Sequence, residues 1–69
     1  MSDNRLQNTL KVQRAMRNWT QAELAERAGV TRKSINAIER GHFVPSTVLA
    51  LTLARLFETS VEELFQLPN

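Results

Sequence analysis

Sixty-nine residues with a formal net charge of +2 and no cysteine allow one domain, and leave no room for a second catalytic domain, a disulfide framework or a thiolate metal site. A chain of this size buries only about 60% of its unfolded surface, so apolar packing has to hold it together. The charge is unevenly placed: Met1 to Trp19 carries Arg5, Lys11, Arg14 and Arg17 against Asp3, whereas His42 to Asn69 carries Arg55 against Glu58, Glu62 and Glu63, so a polyanionic partner would meet the N-terminal and central parts.

The opening MSDNRLQNTLK is polar, with no signal-peptide core, and no later run reaches membrane-span length. The chain therefore reads as a soluble, cytoplasmic single domain over 1–69, with 1–4 as a frayed tail. No segment alternates as a strand would, while helix starts and stops recur at short intervals, predicting an all-α fold of five helices. The first helix is expected from about Arg5 to Arg17, with Leu6, Leu10, Ala15 and Met16 inward and the stripe interrupted at Gln13 and Arg14. Thr20 opens the second: its hydroxyl can accept from the Glu23 amide while the Glu23 carboxylate reaches back, and Trp19 and Leu24 hold hydrophobic-staple positions. Ala22, Leu24, Ala25 and Ala28 face inward, and Gly29 ends the helix in the left-handed region.

Thr31 caps the third helix, with Val30 and Ile35 at staple positions, Ile35 and Ile38 buried, and Gly41 as the stop. Its outward face carries Arg32, Lys33, Asn36 and Ala37. After His42 to Pro45, Ser46 caps a fourth helix, TVLALTLARLFE, apolar enough to serve as the central post of the core. Ser60 and Glu63 are placed as a second capping box opening a short fifth helix, VEELFQ, which Pro68 closes.

The segment 20–41 is thus two short helices joined at a glycine turn, with donors gathered at the start of the second. A helix in the DNA major groove presents its N-terminal turn to base edges and needs an apolar opposite face to anchor it. Arg32 and Lys33 can donate to guanine acceptors or to phosphates, Asn36 can pair with adenine, and Thr31 can cap the helix or touch phosphate. Small residues at Ala22, Ala25 and Ala28 let two helices cross closely. The competing reading makes Arg32, Lys33 and Asn36 a solvated helix face.

The chain resembles the Cro/lambda-repressor-type helix-turn-helix family, also called the xenobiotic-response-element type, in Thr20, Gln21, Glu23, Leu24, Ala25, Gly29, Val30, Ile35, Ile38, Glu39 and Gly41, and then in Pro45, Ser46, Ala50, Leu53, Ala54 and the closing SVEELF. The resemblance runs from about Leu10 to Phe65 and implies a compact DNA-binding domain acting as a transcriptional regulator, expected to be a repressor. It implies base contacts from Thr31, Arg32, Lys33, Asn36 and Ala37, the last limited to an apolar touch on a thymine methyl. It implies backbone contacts from Gln21, Arg40, Gly41, His42 and Phe43, with a helix N-terminus aimed at phosphate. It also implies that Arg14 pairs with Glu39 in a mostly buried salt bridge, which would explain the interrupted stripe; an exposed Arg14 is the other reading. Relatives often hold leucine at Gln13 and glycine at Glu58, so this chain departs from the pattern there. Arg32 and Lys33 stand at variable positions, so no relative supplies the target sequence.

One such unit offers few base contacts, so two copies about one helical turn apart are expected. The homodimer interface is expected on the apolar and acidic C-terminal part, at Leu56, Phe57, Val61, Leu64, Phe65 and Leu67; alternatively these side chains close the monomer core. The partners are therefore double-stranded DNA at the nucleoid and a second copy of the chain, without membrane, cofactor or small-molecule ligand. His42 has no second histidine or cysteine with which to share a metal, and Trp19 reads as a staple residue. No phosphate-binding glycine loop, activated nucleophile or carboxylate pair can be assembled, so no enzyme activity is expected. The alternative function is a protein-interaction module, or an antitoxin-type component, on the same scaffold.

Overall fold

The computed structural model describes residues 6–68. A two-residue strand β1 (Gln7–Asn8) leads into α1 (Leu10–Met16), followed by α2 (Gln21–Ala28), α3 (Arg32–Glu39), α4 (Thr47–Leu56), α5 (Val61–Leu64) and a strand β2 (Phe65–Gln66). The fold is five-helical, as the sequence predicts, with one addition. β1 and β2 pair antiparallel, Gln7 opposite Gln66 and Asn8 opposite Phe65, so the two ends of the described chain are stitched together.

That ladder shortens both terminal helices relative to expectation. The first helix starts at Leu10, because the Asn8 side-chain oxygen accepts from the Leu10 amide at 3.1 Å and sets the first turn there. The fifth ends at Leu64, after which Phe65 turns extended to pair with Asn8. Residues 1–4, expected as a tail, and Arg5, the expected helix start, lie outside the described residues.

The other helices begin where their caps sit. Thr20, Thr31, Ser46 and Ser60 each take extended backbone and accept from the amide three residues on. At Thr20 the reciprocal bond from Glu23 completes the box. At Ser60 the bond from Glu63's amide is present at 3.1 Å, and the return bond is not found among the described residues.

Helices α1 to α4 all stop in the same way. A residue with φ between 55° and 77° follows each, namely Asn18, Gly29, Gly41 and Glu58. The next amide then reaches back across the last turn: Trp19 to Arg14, Val30 to Ala25, His42 to Ala37 and Thr59 to Ala54, at 2.9 to 3.0 Å. This is the Schellman arrangement, which satisfies carbonyls the helix would otherwise leave bare. Glycine holds two of the four positions at no steric cost, and Asn18 is the next most tolerant type.

The core consists of Leu10, Leu24, Ala25, Ile35, Ile38, Leu53, Ala54, Phe57, Leu64 and Phe65. Several expected inward positions are instead on the surface. Ala15, Met16 and Ala22 are exposed, because α1 turns only Leu10 fully into the core and α2 turns Leu24 and Ala25 inward. In α4 the inward stripe is Leu53 and Ala54, with Leu49, Ala50 and Leu56 packed at its margin, while Val48 and Leu51 are 75% and 57% exposed. The central post is therefore buried on one face only. None of the described helices is long and apolar enough to cross a membrane.

Candidate nucleic-acid interface

Helix α3 is divided lengthwise. Ile35 and Ile38 are at most 1% exposed and anchor it in the core, while Arg32, Lys33, Asn36 and Ala37 lie on the other side and keep solvent access. No acidic side chain occurs in its first turn, so the positive end of the helix dipole and the Arg32 and Lys33 charges act in the same sense. The Thr31 hydroxyl that opens α3 is engaged locally: it accepts from the Ser34 amide at 3.1 Å and donates to the Ser34 hydroxyl at 3.0 Å.

The opposite end of α3 is fixed by Gly41, whose left-handed backbone turns the chain into the loop bearing His42 and Phe43. Those two residues, with Thr31, Lys33, Ser34 and Ala37, line an open depression beside α3. Arg40, His42 and Phe43 are exposed and Gly41 is half-buried. All ten residues expected to meet DNA thus gather along α3, the loop after it and the start of α2.

Arg14 and Glu39 join α1 to α3. Arg14 Nε donates to Glu39 Oε2 at 2.8 Å and Arg14 Nη2 donates to Glu39 Oε1 at 3.2 Å, a bidentate pair whose side chains are 15% and 5% exposed. The hydrogen bond that Arg14 donates to the Glu39 carboxylate raises the Arg14 pKa above its ordinary value, with burial acting against it. A third donation, from Arg14 Nη1 to the Trp19 carbonyl at 2.9 Å, ties the pair to the entry of α2.

Gln21, the first residue of α2, extends the network to the solvent-facing side. Its Nε2 donates to Glu39 Oε1 at 3.1 Å and to Asn36 Oδ1 at 3.2 Å, and its Oε1 lies 3.5 Å from Arg32 Nη1. One chain of hydrogen bonds therefore runs from α1 through the almost fully buried Glu39 carboxylate to side chains on the outer face of α3. At the Thr20 cap, the bond from the Thr20 backbone amide, then that from its hydroxyl side, holds the Glu23 carboxyl below its ordinary pKa.

Several contributors have only weak sequence signals. Asn8 both accepts from the Leu10 amide at the start of α1 and donates through Nδ2 to the Ile38 carbonyl at 2.9 Å, clamping the end of α3. The Asn-Thr pair before Leu10 is a cap signal that could have marked this start. Arg17 donates to the Phe57 carbonyl at 2.6 Å and lies over the Trp19 and Phe57 rings, and Arg27 sits 4.3 Å from the Trp19 ring centroid. Trp19 is thereby enclosed by its own domain, consistent with a packing role rather than base stacking.

The expected dimer surface is largely absent as a surface. Phe57, Leu64 and Phe65 are 1%, 0% and 8% exposed and belong to the monomer core, because Phe57 fills the space beside Trp19 and β2 draws Phe65 inward. Leu56 and Val61 are partly buried against that core, and only Leu67 is fully available. No cluster of three or more potential metal ligands occurs among the described residues.

A helix-turn-helix family model matches residues 10–64. An HTH-type transcriptional regulator of Methanocaldococcus jannaschii is 43% identical over 60 residues, covering 87% of this chain and 91% of that protein. The HTH-type transcriptional regulator YgzD of Bacillus subtilis is 40% identical over 62 residues, covering 90% and 94%. Among solved structures, the restriction-modification controller protein C.AhdI from Aeromonas hydrophila superposes with a TM-score of 0.72 at 30% identity, covering 78% of this chain and 82% of the other. The hypothetical transcription factor NHTF from Neisseria gives a TM-score of 0.77 at 25% identity over 87% of this chain and 66% of its own. With two capped helices joined at Gly29, the second exposing a basic face, and with relatives of nearly equal length, the chain belongs to the Cro/lambda-repressor-type helix-turn-helix family of transcriptional regulators.

Proposed function

We propose that the chain is a sequence-specific repressor that reads double-stranded DNA in the major groove with α3 and binds as a homodimer. The observation that carries this reading is the division of α3 into a buried apolar side, Ile35 and Ile38, and an exposed side of donors with no acidic residue in the first turn. In this reading Arg32, Lys33, Asn36 and Ala37 approach base edges, with Thr31 at their margin. Gln21, Arg40, Gly41, His42 and Phe43 flank the phosphates. Occupying an operator is enough to exclude polymerase, so repression requires no further chemistry from the chain. Acting on chromosomal DNA would place it in the cytoplasm, at the nucleoid.

A second copy would need an exposed apolar surface. Leu67, at 83% exposure, remains from the expected set, and Val48 and Leu51 of α4 add two more candidates. Arg32→Ala and Lys33→Ala test the reading directly, measured as affinity for a selected operator and for random duplex. Loss confined to particular operator sequences supports base readout. An equal loss on every duplex reduces these residues to phosphate contacts. Unchanged binding on both would favour a scaffold that uses this face, or another, for a protein partner.

A further inference from the structure

An amide side chain has one accepting and one donating end, and which end faces outward is set by the partners the other end meets. At this interface the order is imposed from inside. The Glu39 carboxylate, almost fully buried, can only accept, and Arg14 already donates to both its oxygens. Gln21 can join it only by turning Nε2 inward, as found at 3.1 Å, which sends Oε1 outward toward Arg32. That same Nε2 faces Asn36 at 3.2 Å, so Asn36 must present Oδ1 to it and turn Nδ2 the other way.

Asn36 Nδ2 has no hydrogen-bond partner among the described residues, and no unpartnered buried polar side-chain atom occurs among them, so this nitrogen is open to solvent. The solvent-facing ends of Arg32, Lys33 and Asn36 are then all donors. Guanine offers two acceptors, O6 and N7, in the major groove, whereas adenine sets a 6-amino donor beside its N7 and would require an acceptor from Asn36.

We propose that Asn36 is held as a donor and selects guanine rather than adenine, and that Glu39, acting through Gln21, is the positioning residue that sets this preference. This rests on the major-groove reading of α3 and reverses the adenine pairing that the Asn36 residue type alone suggests.

The test begins with selection from a random duplex pool using the wild-type chain and Asn36→Ala. The base pair at which Asn36→Ala loses preference is the one Asn36 reads, and guanine is expected there for the wild type, favoured over adenine by roughly 10-fold. At that position 7-deazaguanine should bind roughly 10-fold more weakly than guanine, since it lacks the N7 acceptor. Unsubstituted purine, which lacks the 6-amino group, should bind at least as well as adenine. Gln21→Leu frees the Asn36 amide to rotate and should bring adenine to within about 3-fold of guanine at that position only. The two base-analogue measurements use the wild-type chain and stand even if Gln21→Leu fails to fold. Adenine selected at that position, purine binding worse than adenine, or a folded Gln21→Leu with unchanged guanine preference would overturn the proposal, as would Asn36→Ala altering no position. If the wild type binds no duplex, the DNA reading itself fails, a result distinct from any of these.

Discussion

At the scale of single residues, Glu39 holds the interface together. It accepts from Arg14 on α1 and from Gln21 on α2 while standing on α3, so three helices meet at one carboxylate. Removing it leaves a largely buried guanidinium without its partner, the costly way to break such a pair. Glu39→Ala should lower unfolding stability by about 3–5 kcal/mol in urea titrations; a loss below about 1 kcal/mol would class the pair with exposed ones. Because the bond to Glu39 raises Arg14 above its ordinary value, deprotonation of the guanidinium would remove its contribution only in strong alkali. Glu23 behaves oppositely: its carboxyl is lowered by the Thr20 bonds, so the cap contributes fully above the ordinary glutamate range and is lost as pH falls through the depressed value. Urea midpoints measured downward from about pH 5 should fall less steeply in Glu23→Gln than in the wild type. The interrupted apolar stripe marks Arg14 as unusual, and the family resemblance implies Glu39 as its partner. The bond from Gln21 to the same carboxylate was not legible, since it depends on how α2 crosses α3.

At the scale of elements, four helices share one C-terminal geometry but not one residue type. Sequence marks the ends of α2 and α3 through Gly29 and Gly41, whereas Asn18 and Glu58 hold the same left-handed backbone without that signal. Glu58 is the costly member, a long side chain held at φ 55°. A left-handed non-glycine residue costs roughly 1–2 kcal/mol, partly offset by the greater chain entropy that glycine loses on folding. Glu58→Gly should therefore stabilise the fold by about 0.5–1 kcal/mol, a rise of several degrees in thermal midpoint for a domain of this size. An unchanged or lower midpoint would show that Glu58 gains something there that outweighs the strain. The starts of α2 to α5 were readable because Thr20, Thr31, Ser46 and Ser60 act through local hydrogen bonds. The limits of α1 and α5 were not, because the pairing of Gln7 and Asn8 with Gln66 and Phe65 joins opposite ends of the chain, and two residues carry no alternation to reveal it.

At the scale of the whole molecule, the ladder and the Asn8 side chain make the N-terminal segment a brace for α3. Asn8 binds the carbonyl of Ile38, the last core residue of α3, while its backbone pairs with the strand that follows α5. The exposed side of α3, with Arg32 and Lys33 and no acidic side chain in the first turn, is the surface proposed to meet a polyanion. Binding driven by that surface displaces counterions from DNA, and the affinity must fall with salt by about 0.9 in log–log slope for each phosphate neutralised. The most direct measurement is the equilibrium affinity of the full chain for random-sequence duplex DNA across roughly 50 to 200 mM salt. Phosphate contacts by several side chains along α3 and its flanking loop predict a slope of about −3 or steeper. No detectable binding at the lowest salt, or a slope near zero, would contradict a DNA-binding role for this face.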